Sequence, residues 1–141
     1  MHERPTSLRF AVAFAAFAVA FLALDALWLT SMDERLYRPA IGHLMRDGFD
    51  FAAAAAFYVI YLTGSVGFAV MPASRARAAL ARGAWFGFVA YATYDLTNQA
   101  TLRDWPWLVT VADLAWGTIA TGASAAGSRL VLDRFMRRRA S

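Results

Sequence analysis

Three aspartates sit inside long apolar stretches of this chain: Asp25 in FLALDALWL, Asp95 in YATYDLTN and Asp113 in VADLAWG. Two share a signature, Asp25-x-x-Trp28 and Asp113-x-x-Trp116. A carboxylate at the centre of a membrane helix costs about 2.5–3.5 kcal/mol, so three of them call for an account. The chemistry they offer is acid–base: a buried acid can give a proton, and a neighbouring carboxylate can take one. Asp95 and Asp113, with Asp25, are the candidate catalytic residues. The side chains that can orient a bound molecule are Trp28, Tyr58, Tyr61, Tyr91, Tyr94, Asn98 and Trp116, each carrying an N–H or O–H donor. With three acids close together and no arginine expected at their level, at least one is expected to be protonated at neutral pH.

Simpler readings compete residue by residue. A tryptophan near a helix end is commonly an interfacial belt residue, which applies to Trp28, and Tyr58 and Tyr61 alone would be packing residues. Asp25, nearest a helix end, can snorkel to water. Asp95 and Asp113 lie deeper among hydrogen-bonding neighbours; for them the alternative is a structural polar network.

The elements that must position these groups follow from hydropathy. The 141 residues are 60% hydrophobic, and four stretches of bilayer-spanning length recur near 8–30, 51–71, 80–101 and 106–131. The expected fold is all-α, an integral membrane four-helix bundle forming one transmembrane domain over residues 1–141. All 14 basic residues are arginine, and cysteine is absent. Schiff-base chemistry, thiol nucleophiles, disulfides and thiolate metal sites are therefore excluded. His2 and His43 fall outside the stretches, which excludes a haem held by two intramembrane histidines; no metal and no cofactor are expected.

The formal net charge is +4. Nucleic-acid binding is one reading of a basic chain, but here the arginines follow topology. Arg4, Arg9, Arg75, Arg77, Arg82, Arg129, Arg134 and Arg137 to Arg139 fall on one side; Arg35, Arg38, Arg46 and Arg103 fall on the other. The positive-inside rule then puts both termini in the cytoplasm. The basic C-terminal cluster can touch anionic lipid headgroups. The first stretch outlasts a signal-peptide core and lacks a small-x-small cleavage site, so it reads as a membrane helix.

Between the first two stretches, Pro39 can open a short helix along which Ile41, Leu44, Met45 and Phe49 recur at helical spacing, an amphipathic segment on the outer face. Tyr58, Tyr61 and Ser65 share one face of the second stretch. In the third, Gly83 and Gly87 form a GxxxG pair suited to close helix approach or to a homo-oligomer, with Tyr91, Asp95 and Asn98 further along the same face. Trp105 and Trp107 in the turn RDWPW are expected at headgroup level, as is Trp85. Counting 1.5 Å per residue from each outer end puts Asp25, Tyr58, Asp95 and Asp113 roughly 7–11 Å below the outer interface, which predicts one shared pocket.

LDALWL at 24–29, FYVIYLTG at 57–64, GAWFGFVAYATYDLTNQATL at 83–102 and VADLAWG at 111–117 resemble a bacterial family of small predicted membrane proteins, domain of unknown function 2177. The resemblance spans nearly the whole chain. It implies a four-helix membrane fold and marks Asp25, Tyr94, Asp95, Asn98, Asp113 and Trp116 as motif positions, without implying an activity. Three functions compete: an enzyme or binding protein for a lipid or isoprenoid, a proton or cation pathway, and a structural subunit of a membrane complex.

Overall fold

A computed structural model describes residues 6–138 and, within them, is built of helices joined by short turns. Arg4 and Arg139, which entered the charge reading, and His2, which entered the haem reading, lie outside the described residues. Helix α1 runs from Thr6 to Met32. The expected stop near residue 30 does not occur. The chain continues through a π-helical turn, Asp33–Tyr37, into a short α2, Arg38–Ile41, and a 3-10 turn, Gly42–Leu44. Pro39 does sit in the first turn of α2, but the segment prolongs α1 instead of forming a separate surface helix. Asp33 accepts a bond from the Arg38 guanidinium at 2.7 Å, an i,i+5 pair that fits the wider turn. The second long helix is α3, Phe51–Ser65, prolonged by another π turn, Val66–Val70.

Both π turns end one residue short of a proline, with Arg38 before Pro39 and Met71 before Pro72. In a regular helix the proline ring collides with the carbonyl four residues back, and that carbonyl loses its N–H partner. The wider register lets the preceding residue bond one position further back: Arg38 N–H to the Asp33 carbonyl, Met71 N–H to the Val66 carbonyl at 2.9 Å. The carbonyl that Pro72 leaves without a partner, that of Phe68, receives Arg82 Nε at 3.1 Å. Arg129 bonds the Ala73 carbonyl nearby and pairs with Asp133 at 2.9 Å. Two arginines thus close this end of the second helix.

Helix α4, Ala76–Thr101, and α5, Trp107–Arg138, make the most extensive pairing in the molecule, and α1 packs on the other side of α5. Glycine makes the α4–α5 approach possible. A Cβ on Gly87 would lie 2.1 Å from the Gly117 carbonyl oxygen, and one on Gly83 would lie 2.6 Å from the Ala125 Cβ. The GxxxG face is therefore filled by α5 of the same chain, which removes it as a surface for a second copy. Two hydrogen bonds tie further helices to α5: Ser128 to the Ala13 carbonyl at 2.8 Å, and the Tyr61 and Thr121 hydroxyls at 2.7 Å.

The exterior inverts the usual distribution. Val19 and Ile60 are more than 70% exposed, whereas Asp95, Thr121, Ser124 and Ser128 are fully buried. Two helices, Thr6–Leu44 and Phe51–Val70, are long and apolar enough to cross a membrane by length and composition.

Gly87→Ala is expected to destabilise the fold by about 1–3 kcal/mol through overpacking, whereas Gly127→Ala, with open space around it, should be neutral or stabilising. Thermal unfolding of both variants in detergent checks this; equal melting would refute the seam. Asp50 caps α3, accepting from Ala53 N–H at 3.0 Å, and that bond, aided by Arg46, holds its carboxyl below the usual carboxylate range. Its folded value is depressed, so the cap is fully present above the unfolded value near 4 and is lost as pH falls through the lower folded one. Amide exchange in the first turn of α3 should accelerate at that acid pH in the parent and be fast already at neutral pH in Asp50→Ala.

Candidate functional site

The three aspartates converge. Asp25 is buried on α1 and accepts from Tyr58 Oη on α3 at 2.5 Å and from Trp116 Nε1 on α5 at 3.5 Å, the outer limit of a hydrogen bond. It does not snorkel. Asp113 is buried on α5 and accepts from Tyr37 Oη at 2.5 Å. Tyr37 in turn accepts from Trp28 Nε1 at 2.8 Å. Trp28 and Trp116, the tryptophans of the repeated signature, stack with ring centroids 4.5 Å apart and planes 8° from parallel. Trp28 is thus a wall of the site, not a belt residue.

Asp95 stands behind this surface. It is fully buried on α4, with the carboxyl group of Asp113 on α5 as a near neighbour. No donor side chain or backbone N–H reaches either of its oxygens. The donors expected around it are engaged elsewhere: Thr97 bonds the carbonyls of Thr93 and Tyr94, and Asn98 lies against Tyr94.

These groups border a cavity of about 630 Å³. Asp25, Asp113, Trp28, Trp116, Tyr58 and Tyr91 form its inner wall. Ile41, Met45 and Phe49, expected on an interfacial helix, cover it from the other side. A second space of about 380 Å³ adjoins it through Phe57, Tyr91, Tyr94 and Asp113 and reaches Tyr61 and Ala90. The opening arises because α3 packs on its neighbours chiefly through its π-helical half, while its first half touches α1 and α4 sparingly. Half-exposed Phe57 and Tyr94 flank the gap between α3 and α4.

Of the residues singled out from sequence, Asp25, Trp28, Tyr58, Tyr91, Tyr94, Asp113 and Trp116 line the main cavity. Tyr61 borders the adjoining space with its hydroxyl on Thr121, Asp95 sits one layer behind, and Asn98 lies outside. Tyr37 and Trp105 were not anticipated. Trp105 is buried rather than interfacial; it donates to Thr110 Oγ1 at 3.1 Å, Thr110 donates to Gln99 Oε1, and Gln99 Nε2 donates to the Trp105 carbonyl. This closed ring fixes the α4–α5 turn beside the cavity, while Trp85 and Trp107 are exposed. A signal for Tyr37 existed in the acids Asp33 and Glu34, spaced five and four residues before Arg38, which favour a helix running on past residue 30.

Tyr37→Phe removes the hydroxyl that links Trp28 to Asp113. The expected cost is about 1–3 kcal/mol, because a buried donor and a buried acceptor both lose a partner. Urea unfolding and a red shift of tryptophan emission check it; a chain with unchanged stability and emission would mean the latch carries no energy.

Residues 10–130 match the family described as predicted membrane protein, DUF2177. Comparison with curated proteins finds no match, and comparison with solved structures finds none. The matched segment carries all three aspartates, both stacked tryptophans and the glycine seam, and the chain belongs to this family of predicted membrane proteins.

Proposed function

We propose that the protein is a multi-pass four-helix bundle of the bacterial inner membrane, one domain with both termini in the cytoplasm. Its acidic, aromatic cavity binds or modifies a lipid or isoprenoid by acid–base chemistry. The observation that carries this reading is the pairing of Asp95 with Asp113 at the wall of a cavity that opens between apolar helix surfaces. Asp113 borders the cavity and Asp95 does not, so the proton the pair holds can be delivered to a bound molecule through Asp113 and recovered from it. Asp25, held by Tyr58 and Trp116, is the second carboxylate on the same wall. The gap flanked by Phe57 and Tyr94 is a side entrance for a molecule dissolved in the bilayer.

The membrane reading of α4 and α5 draws on Val89, Val111, Ile119 and Val131, all exposed, and on burial of the polar groups those helices carry. The orientation draws on arginine: Arg75, Arg77, Arg82, Arg134 and Arg137 belong to one end of the helix set, Arg35, Arg38, Arg46 and Arg103 to the other. A structural role for the polar groups is the second reading, favoured by the bonds Tyr58–Asp25 and Tyr37–Asp113, which tie separate elements together.

Two experiments separate these readings. Lipidomics of a deletion strain complemented with the parent or with Asp113→Asn should show a lipid or polyprenyl species altered in the deletion and restored only by the parent. Restoration by a folded Asp113→Asn chain would favour the structural role. Infrared spectra of purified protein at neutral pH should contain the carbonyl band of a protonated carboxyl, absent from Asp95→Asn; three ionised carboxylates would sink the shared proton.

A further inference from the structure

The polar wall of the cavity is acidic without being neutralised. Among the described residues, two ion pairs lie away from it: Arg46 with Asp50 at 3.1 Å, and Arg129 with Asp133 at 2.9 Å. Arg38 lines the cavity, alone among the described arginines, and its guanidinium is held by Asp33 at 2.7 Å and faces Glu34 at 3.6 Å. Asp25 and Asp113 receive hydroxyl and indole donors but no cation, and behind Asp113 stands Asp95, fully buried and without a donor. The same wall carries the stacked indoles of Trp28 and Trp116 and the rings of Tyr58 and Tyr91.

We propose that the occupant of this cavity bears a cationic ammonium head group on an apolar chain, with the nitrogen between the Trp28–Trp116 pair and the carboxylates of Asp25 and Asp113. This inference deepens the lipid reading above and rests on it. Aromatic faces attract ammonium groups through the ring quadrupole, tryptophan most strongly, and the attraction grows when water is excluded. Carboxylates at the edge of the rings supply the countercharge. An anionic head group would meet like charge at Asp25 and Asp113. A bare metal ion is disfavoured for a different reason: among the described residues no group of three or more acidic, histidine or cysteine side chains is arranged to hold one. The apolar chain would leave through the gap between Phe57 and Tyr94, where the lining turns to rings and Ala90.

The test uses the full chain in dodecyl maltoside, read by tryptophan emission. The probes are dodecyltrimethylammonium, its neutral isostere with carbon in place of nitrogen, and choline. The ammonium amphiphile should bind about tenfold more tightly than the isostere, the difference a desolvated cation–π contact with countercharge supplies. Asp25→Asn and Trp28→Leu should each erase most of that difference, read as the ratio of ammonium to isostere affinity within each variant. Choline binding as tightly as the long-chain probe would keep the ammonium class and identify a soluble source instead of a lipid. Equal affinity of ammonium and isostere on the unaltered protein overturns the head-group inference and leaves the lipid reading standing. Failure of both amphiphiles to bind overturns the two together.

Discussion

A carboxyl group removed from water must find a countercharge, a set of donors or a proton, and the architecture of this protein follows from how each of three aspartates meets that requirement. Asp25 takes donors from α3 and α5, so it fixes three helices relative to one another. Asp113 takes a donor from the prolongation of α1, so it draws that segment over the site. Asp95 takes neither and leans on Asp113. The same groups that hold the helices together thus stand at the wall of the cavity or directly behind it.

Close packing elsewhere makes that open space affordable. The α4–α5 seam leaves no room for a methyl group at Gly83 or Gly87, and Gly117 is filled against the Tyr91 ring, where a Cβ would lie 2.2 Å from a ring carbon. The seam therefore sets the position of Tyr91 as well as the distance between the helices that carry Asp95 and Asp113. Stability concentrates on one side of the molecule, where α1, α4 and α5 pack, and the first half of α3 stands off from them to form the cavity.

Much of this was legible in the sequence, for identifiable reasons. The apolar stretches marked the helices because length and hydropathy are local properties, although the first helix runs on past residue 30 and the last past residue 131. Helix rise alone put Asp25, Tyr58, Asp95 and Asp113 at one depth, and they meet. The choice of partners was not legible. Tyr61 could as well have joined a carboxylate as Thr121, and Asn98 could as well have faced the cavity as Tyr94; helical periodicity gives the face a residue occupies but not which neighbour reaches it. Trp105 was misread because its sequence context, a polar turn with two tryptophans, matches an interfacial belt, while its burial depends on Gln99 and Thr110 arriving from two different helices. Tyr37 escaped because a π turn shifts the register, and periodicity arguments assume it constant.

That shift of register carries an implication of its own. Each residue advances a helix by about 100° of azimuth, so the single extra position in the Asp33–Tyr37 turn rotates everything after it by about that amount. The phenol of Tyr37 faces inward only because of this added increment. Shortening the turn by one amino acid would swing the ring out toward the exterior and uncover the acids beneath. Chain length at this point, together with the phenol of Tyr37, decides whether the chamber is roofed.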